Sequence, residues 1–280
     1  MAKVHEIEAK SILTKSDLPS ADYVINPYTG CAFSCSYCYA SFMGRFVNEP
    51  LENWGKYIYV KTNAVELLDT KLASMRKKDK SIMLASVTDA WQYVEKKYEI
   101  TRNILKTLAE HEYPGKIQCL TKSDLILRDL DVIKQLKNVE VGFTITSTKN
   151  NISKALEVAA PGVEKRLEAL KIFNENGIKT YAFIGPVFPY FMNNKDELEE
   201  IFKEIKEAGT NDVFIDMLNT KDYIAKNLEP RIKQQPEDVQ KAYFAIKNDN
   251  KEVLEFKRYI MTLVKKYDLN LNNKKKREVK

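Results

Sequence analysis

Histidine and cysteine are both scarce in this chain of 280 residues: two of the first, His5 and His111, and four of the second. So few imidazoles, one near a terminus and one ending a helical stretch, argue against histidine acid–base catalysis. Four cysteines behind no hydrophobic leader argue against a disulfide framework. No apolar run approaches the ~18–20 residues that cross a bilayer, and Met1-Ala-Lys-Val-His-Glu6 has no apolar core of a signal peptide. The expectation is a cytoplasmic protein with no membrane partner. Glycine is sparse too, at nine, and none builds a phosphate-cradling loop. Repeats and low-complexity linkers are also lacking.

What is present is an ordinary globular composition, 44% hydrophobic and 30% charged, with enough apolar mass for a sizeable core. The net charge of +6 is concentrated at one end. Lys274-Lys-Lys-Arg-Glu-Val-Lys280 carries five positive charges and one negative, and without it 40 basic residues face 38 acidic ones. Such a tail is usually a solvated end, although it also suits phosphate contact. Positive charge near a redox centre would help dock an acidic electron donor of the flavodoxin or ferredoxin type.

Short β-rich runs alternate with helical periodicity. Strand candidates are Tyr23–Asn26, Tyr57–Lys61, Ser81–Ser86, Lys116–Leu120, Val139–Ile145, Lys179–Ile184 and Asp212–Met217. Several are almost continuously apolar, as parallel strands covered on both faces require. Val65, Leu68, Leu72 and Met75 predict a helix with Asn63 as its N-cap. Val94, Tyr98, Thr101, Ile104, Leu105 and Leu108 predict another, stopped by Pro114-Gly115. Val163, Leu167, Leu170 and Phe173 mark a third, closed by Gly177 as a left-handed cap. Residues 195–208 form a fourth. Repeated strand–helix units give a parallel sheet, and six or seven of them curl into an open barrel. The expected organisation is an N-terminal extension (1–20), a partial (β/α)6-type barrel (21–220), C-terminal helices packed on it (221–273, continuous from about Pro236 to Tyr267) and a basic tail (274–280).

Three cysteines stand close together in Gly30-Cys-Ala-Phe-Ser-Cys-Ser-Tyr-Cys-Tyr-Ala40. Thiolates spaced C-x3-C-x2-C on one short loop can hold three irons of an iron–sulfur cube, leaving the fourth without a protein ligand. An open metal position is where chemistry happens. A zinc site would want four Cys or His ligands in pairs, and the spare candidates are only Cys119, His5 and His111. Zinc or unligated thiols stay as the alternatives. The loop follows the first strand candidate, hence the catalytic end of such a barrel.

With Tyr37 before the third cysteine, the loop resembles the signature of the radical S-adenosylmethionine (SAM) superfamily. Further stretches resemble its spore photoproduct lyase-like branch, often labelled DNA repair photolyases. They are Asn26-Pro-Tyr-Thr-Gly-Cys31, Ser86-Val-Thr-Asp89, Glu95-Lys-Lys-Tyr-Glu-Ile-Thr-Arg102, Leu120-Thr-Lys-Ser-Asp-Leu-Ile-Leu-Arg-Asp129 and Val141-Gly-Phe-Thr-Ile-Thr146. The resemblance implies a 4Fe-4S cluster on Cys31, Cys35 and Cys38 and a SAM molecule whose reductive cleavage gives a 5′-deoxyadenosyl radical. It places Tyr37 and Tyr39 near the adenine or the radical path. Ser86, Thr88, Thr144 and Thr146 become hydroxyls facing SAM, and Lys122 the ammonium for its carboxylate or ribose. An ordinary strand residue bonded to backbone is the competing reading for each hydroxyl.

Two departures accompany the resemblance. Many members hold the SAM amino group with a Gly-Gly-Glu-like stretch after the second strand, where this chain reads Val60-Lys-Thr-Asn63; Asn63 or backbone is the stand-in. True spore photoproduct lyases carry a hydrogen-donating cysteine near Ala85–Asp89, where this chain has Ser86-Val87-Thr88, which counts against the thymine-dimer reaction. Cys119 is the replacement donor if it faces inward, and a buried small hydrophobe otherwise. One cysteine beyond the trio is too few for an auxiliary cluster, so simple hydrogen abstraction by a lyase-like enzyme survives. Substrate-side candidates are Asp89, Gln92, Tyr93, Pro186 to Tyr190, Asp216 and Asn219. The substrate is a small molecule, a peptide or a nucleic acid. The competing functions are a DNA-lesion repair lyase and a non-enzymatic metal- or nucleic-acid-binding module.

Overall fold

The computed structural model describes residues 2–148, 150–245 and 250–272. Its strands are β1 (Lys3–Ile7), β2 (Leu13–Lys15), β3 (Tyr23–Ile25), β4 (Tyr28–Thr29), β5 (Tyr57–Lys61), β6 (Ile82–Leu84), β7 (Ile117–Thr121), β8 (Val139–Thr144), β9 (Lys179–Val187), β10 (Asp212–Met217) and β11 (Asn270–Leu271). The helices are α1 (Ala64–Ser74), α2 (Glu95–Tyr98), α3 (Ile100–Glu110), α4 (Leu130–Ile133), α5 (Asn150–Leu156), α6 (Val163–Glu175), α7 (Lys195–Glu207), α8 (Asp222–Ile232), α9 (Glu237–Ala245) and α10 (Asn250–Lys266).

Eight strands form one sheet in the order β11-β10-β9-β8-β7-β6-β3-β2. All pair in parallel except β2, which runs antiparallel to β3. Strands β3 and β6 to β10 are the six barrel strands, and one cavity is lined from β6 round to β10. The sheet is therefore curled into a partial barrel. Beneath the cavity, Glu140 pairs with Lys116 at 2.5 Å and Lys179 at 2.7 Å, and Lys179 also reaches Asp212. Leu68 and Leu72 of α1, Ile104 and Leu108 of α3, and Leu170 and Phe173 of α6 are fully buried in the core. Each such side chain contributes about 1.5–3 kcal/mol.

Several local expectations are corrected. Tyr57–Lys61 is not a barrel strand: it pairs with β1 and β4 in a separate three-stranded sheet. The N-terminal twenty residues are thus strand-forming, with β1 in the small sheet and β2 on the edge of the large one. Asn63 occupies the N-cap position of α1 as expected, but its side chain makes no capping hydrogen bond. Its amide instead accepts from the Ala9 N–H at 2.8 Å and donates to the Ala9 carbonyl at 2.9 Å. The helix expected from Val94 to Leu108 breaks at Glu99, whose φ is +50°. There the buried carboxylate of Glu95 accepts from the N–H groups of Thr101 and Arg102 at the start of α3. Gly177 and Gly209 close α6 and α7 in left-handed conformations, at φ +72° and +85°. After 220 the described residues give three helices and then, where only helix was expected, the edge strand β11 paired with β10; Pro236–Tyr267 is represented by α9 and α10. The basic tail lies outside the described residues. Among the described residues no helix is long and apolar enough to cross a membrane.

Candidate active site

The cysteine loop begins at Gly30, whose φ of +92° turns the chain sharply. A Cβ there would collide with the carbonyl and ring of Tyr57, so glycine is required on steric as well as conformational grounds. The loop is clamped from two sides. On one, Gln92 accepts from the Ala32 N–H at 2.8 Å and donates to the Gly30 carbonyl at 3.3 Å, which also accepts from Thr88 Oγ1 at 2.6 Å. On the other, Ser36 donates its N–H and its hydroxyl to the Leu156 carbonyl, Ala159 N–H donates to Phe33, and Cys35 bridges Glu157.

So held, Cys31, Cys35 and Cys38 line one cavity of about 600 Å³ at the C-terminal ends of the strands. Burial first, then Asp89 and the other two cysteines, pushes the Cys31 thiol up. Burial pushes Cys35 up to about 12 and also raises Cys38, with Lys122 opposing in both. Among the described residues no group of three His, Cys, Asp or Glu side chains has the spacing of a single-ion site. Two buried thiols and a partly buried third, whose ionised forms burial disfavours, would ionise around a cationic centre that offsets that cost. Trp54 adds to the fit. Its buried indole N–H lines the cavity beside Cys38, whose thiol it lowers, and finds no other hydrogen-bond partner. A donor beside the Cys38 sulfur, with no other partner, is apt for the sulfur of a cluster held there.

Beside the trio sits a charged network. Glu157 and Arg166, both almost wholly buried, pair at 2.5 Å. Arg166 also donates to the carbonyls of Thr144 and Pro161, and Glu157 accepts from Tyr37 Oη and, at 3.2 Å, from Thr146 Oγ1. Burial works against the Glu157 charge, but Arg166 and Lys122 outweigh it and hold the carboxyl below its usual range. Burial likewise opposes the Lys122 charge, yet Cys35 and Glu157 keep it raised. The Lys122 ammonium lies 5.7 Å from the centre of the Tyr37 ring. Its backbone is fixed by Asp89, which accepts from Lys122 N at 2.9 Å and from Thr121 Oγ1 at 2.7 Å.

Tyr37, Tyr39, Ser86, Thr88, Lys122, Thr144 and Asp216 all line the cavity with the cysteines. Tyr39 donates to the Ser86 carbonyl, and Ser86 Oγ accepts from Asn26 Nδ2 at 3.3 Å. Five expected residues stand elsewhere. Thr146 is spent on Glu157 behind the wall. Cys119 is fully buried on the helix side of β7, while Gln118 and Leu120 face the cavity; strand alternation puts it opposite in parity to Lys122. It is therefore placed as a buried small hydrophobe. Tyr93 and Tyr190 do not line the cavity either, donating to the Ala2 carbonyl and to Glu197. Gln92 is a clamp of the loop rather than a substrate contact. The second barrel strand is β6, so the segment after it is Ala85–Asp89, and Asn63 is engaged at Ala9.

Trp54, Gln118, Tyr181, Glu157 and Arg166 escaped the sequence reading. The parity of Lys122, just past β7, would have found Gln118; the others meet the site through tertiary contacts that no local spacing announces.

A family model described as the Radical SAM superfamily matches residues 25–205. An uncharacterized protein of Methanocaldococcus jannaschii, MJ0683, is 37% identical over 270 residues, 95% of each chain. The spore photoproduct lyase of Clostridium acetobutylicum is 27% identical over 194 residues, 68% of this chain and 53% of that protein. Among solved structures, a spore photoproduct lyase complexed with dinucleoside spore photoproduct superposes with a TM-score of 0.70 at 16% identity, covering 94% of this chain and 79% of that one. A mutant of that enzyme with bound AdoMet gives 0.69 at 14% identity, covering 94% of this chain and 78% of that one. At such identities the likeness is one of fold.

Proposed function

The chain belongs to the radical SAM superfamily, and we propose that it is an enzyme abstracting hydrogen from a substrate bound in this cavity. The observation that carries the reading is the convergence of Cys31, Cys35, Cys38 and Lys122 on one chamber at the catalytic end of the parallel strands. The family implies a 4Fe-4S cluster and SAM, which when bound supply reductive cleavage of the sulfonium and a 5′-deoxyadenosyl radical. In this chain the three thiolates would grip the cluster, with Trp54 N–H directed at its sulfur. His5 stacks on Tyr59, His111 pairs with Asp69, and Cys119 faces away. None of these three would therefore add a ligand to the thiolates of Cys31, Cys35 and Cys38.

Lys122, kept charged and fixed by Asp89, is the ammonium for the SAM carboxylate. Ser86 Oγ, which accepts from Asn26, retains its own proton for donation. Thr144 presents a hydroxyl from β8, whereas Thr88 has committed its proton to Gly30. Tyr37 and Tyr39 flank the last ligand. Arg45, stacked between Phe42 and Phe46 on the turn after the cysteines, supports docking of an acidic flavodoxin- or ferredoxin-type reductant.

Beyond the three ligands the described cavity lining contains no thiol, so a reaction ended by cysteine hydrogen donation is not the one favoured. A lyase-like fragmentation of a substrate other than a thymine dimer fits better than lesion repair. The test is anaerobic reconstitution followed by dithionite reduction with SAM. Methionine and 5′-deoxyadenosine are expected; a fully loaded sample that forms neither overturns the reading.

A further inference from the structure

The floor of the chamber holds a polar group that SAM recognition leaves idle. Gln118 lies one inward step below Leu120 on β7, is 3% exposed and lines the cavity, and its Oε1 has no hydrogen-bond partner. Its neighbours on the wall include Met83, Leu120, Phe183 and Phe214. The phenol of Tyr181 is already committed to the Cys119 carbonyl at 3.0 Å. Glu140, the register partner of Gln118 on β8, is spent on Lys116 and Lys179, so the enclosed carboxamide is destabilising until something meets its hydrogen-bonding atoms. A carboxamide sets an acceptor beside a donor, so the group that satisfies both together is another amide-type edge.

Nearer the mouth, β10 slips register against β9 between Ile215 and Met217, and the intervening Asp216 joins the cavity lining. Burial raises its carboxyl against the lowering effect of the Met217 N–H. Lys122 sits by the cysteines, and Lys221 also lines the cavity but makes no ion pair with Asp216, so a cation on a ligand is repelled from the cysteine side and finds its counter-charge at Asp216.

We propose that the chamber takes a substrate with an amide-type edge at one end, held by Gln118, and an ammonium-type cation at the other, received by Asp216. This rests on the cavity being the substrate chamber of a radical SAM enzyme. The test is calorimetric titration of reconstituted, SAM-loaded protein with short ω-aminocarboxamides, the matching alkylamines and plain carboxamides, and uracil, a lactam without a cation. The aminocarboxamide of best length binds about tenfold tighter than either single-group compound, the scale of one buried hydrogen bond or ion contact, and tighter than uracil. Gln118→Leu and the size-conserving Gln118→Glu abolish its advantage over the alkylamine; Asp216→Asn abolishes its advantage over the carboxamide. Equal affinities for all probes, tighter uracil binding, or preferences that survive the substitutions overturn the proposal. SAM binding by the same wild-type sample is titrated separately. Probe selectivity without it sinks the radical SAM reading and leaves the assignment of the two recognition groups standing.

Discussion

At the scale of single residues, the site is governed by what surrounds each charge. Glu157 is held ionised by Arg166 and Lys122, with its carboxyl below the ordinary range. The stability it contributes is therefore present above the unfolded carboxyl value of ~4.3 and lost as pH falls through the lower folded value. Glu157→Gln leaves Arg166 uncompensated and costs about 3 kcal/mol or more at pH 7. In urea denaturation of the metal-free protein, the wild-type advantage at pH 7 shrinks toward pH 3; a gap independent of pH would contradict the assigned charge. Trp54 makes a different prediction. If its N–H is directed at cluster sulfur, Trp54→Phe retains iron but shifts the cluster potential more negative, since hydrogen bonds to the sulfurs stabilise the reduced form. An unaltered midpoint in an EPR-monitored titration would dissociate the indole from the cluster. Cys119 teaches the same lesson at sequence level: its type invited a chemical role, while its parity on β7 placed it in the core.

At the scale of elements, the cysteine loop has no regular structure of its own and depends on its clamps. Gln92→Leu removes the amide that accepts from Ala32 and donates to Gly30, a loss of about 1–3 kcal/mol in a buried setting. Iron loading per chain falls while the circular dichroism of the fold persists; full loading would show that the Leu156–Ala159 side suffices. The barrel strands β7 to β10 were legible because β-branched and aromatic residues crowd into short runs between helical stretches. Tyr57–Lys61 reads equally well as a strand, and is one, but sequence alone does not reveal which edge it joins. The break at Glu99 was hidden because the apolar spacing continues across it. Only the folded chain brings the Glu95 carboxylate back to start α3.

At the scale of the whole molecule, a curled parallel sheet brings residues from distant stretches to one mouth: Cys38 before β5, Lys122 after β7, Asp216 on β10. The ligand trio could be read from spacing because metal coordination constrains neighbours along the chain. The chamber's floor and the Glu157–Arg166 pair could not, since their partners are supplied by register and packing. The central claim is that three thiols grip a cluster whose open corner binds SAM. Its most direct measurement is the EPR spectrum of the reconstituted, reduced protein, quantified for iron and recorded before and after SAM is added. The account predicts about four irons per chain, as one cubic cluster requires, and a spectrum whose g-values move on SAM addition. A single zinc, or a cluster signal indifferent to SAM, would contradict it.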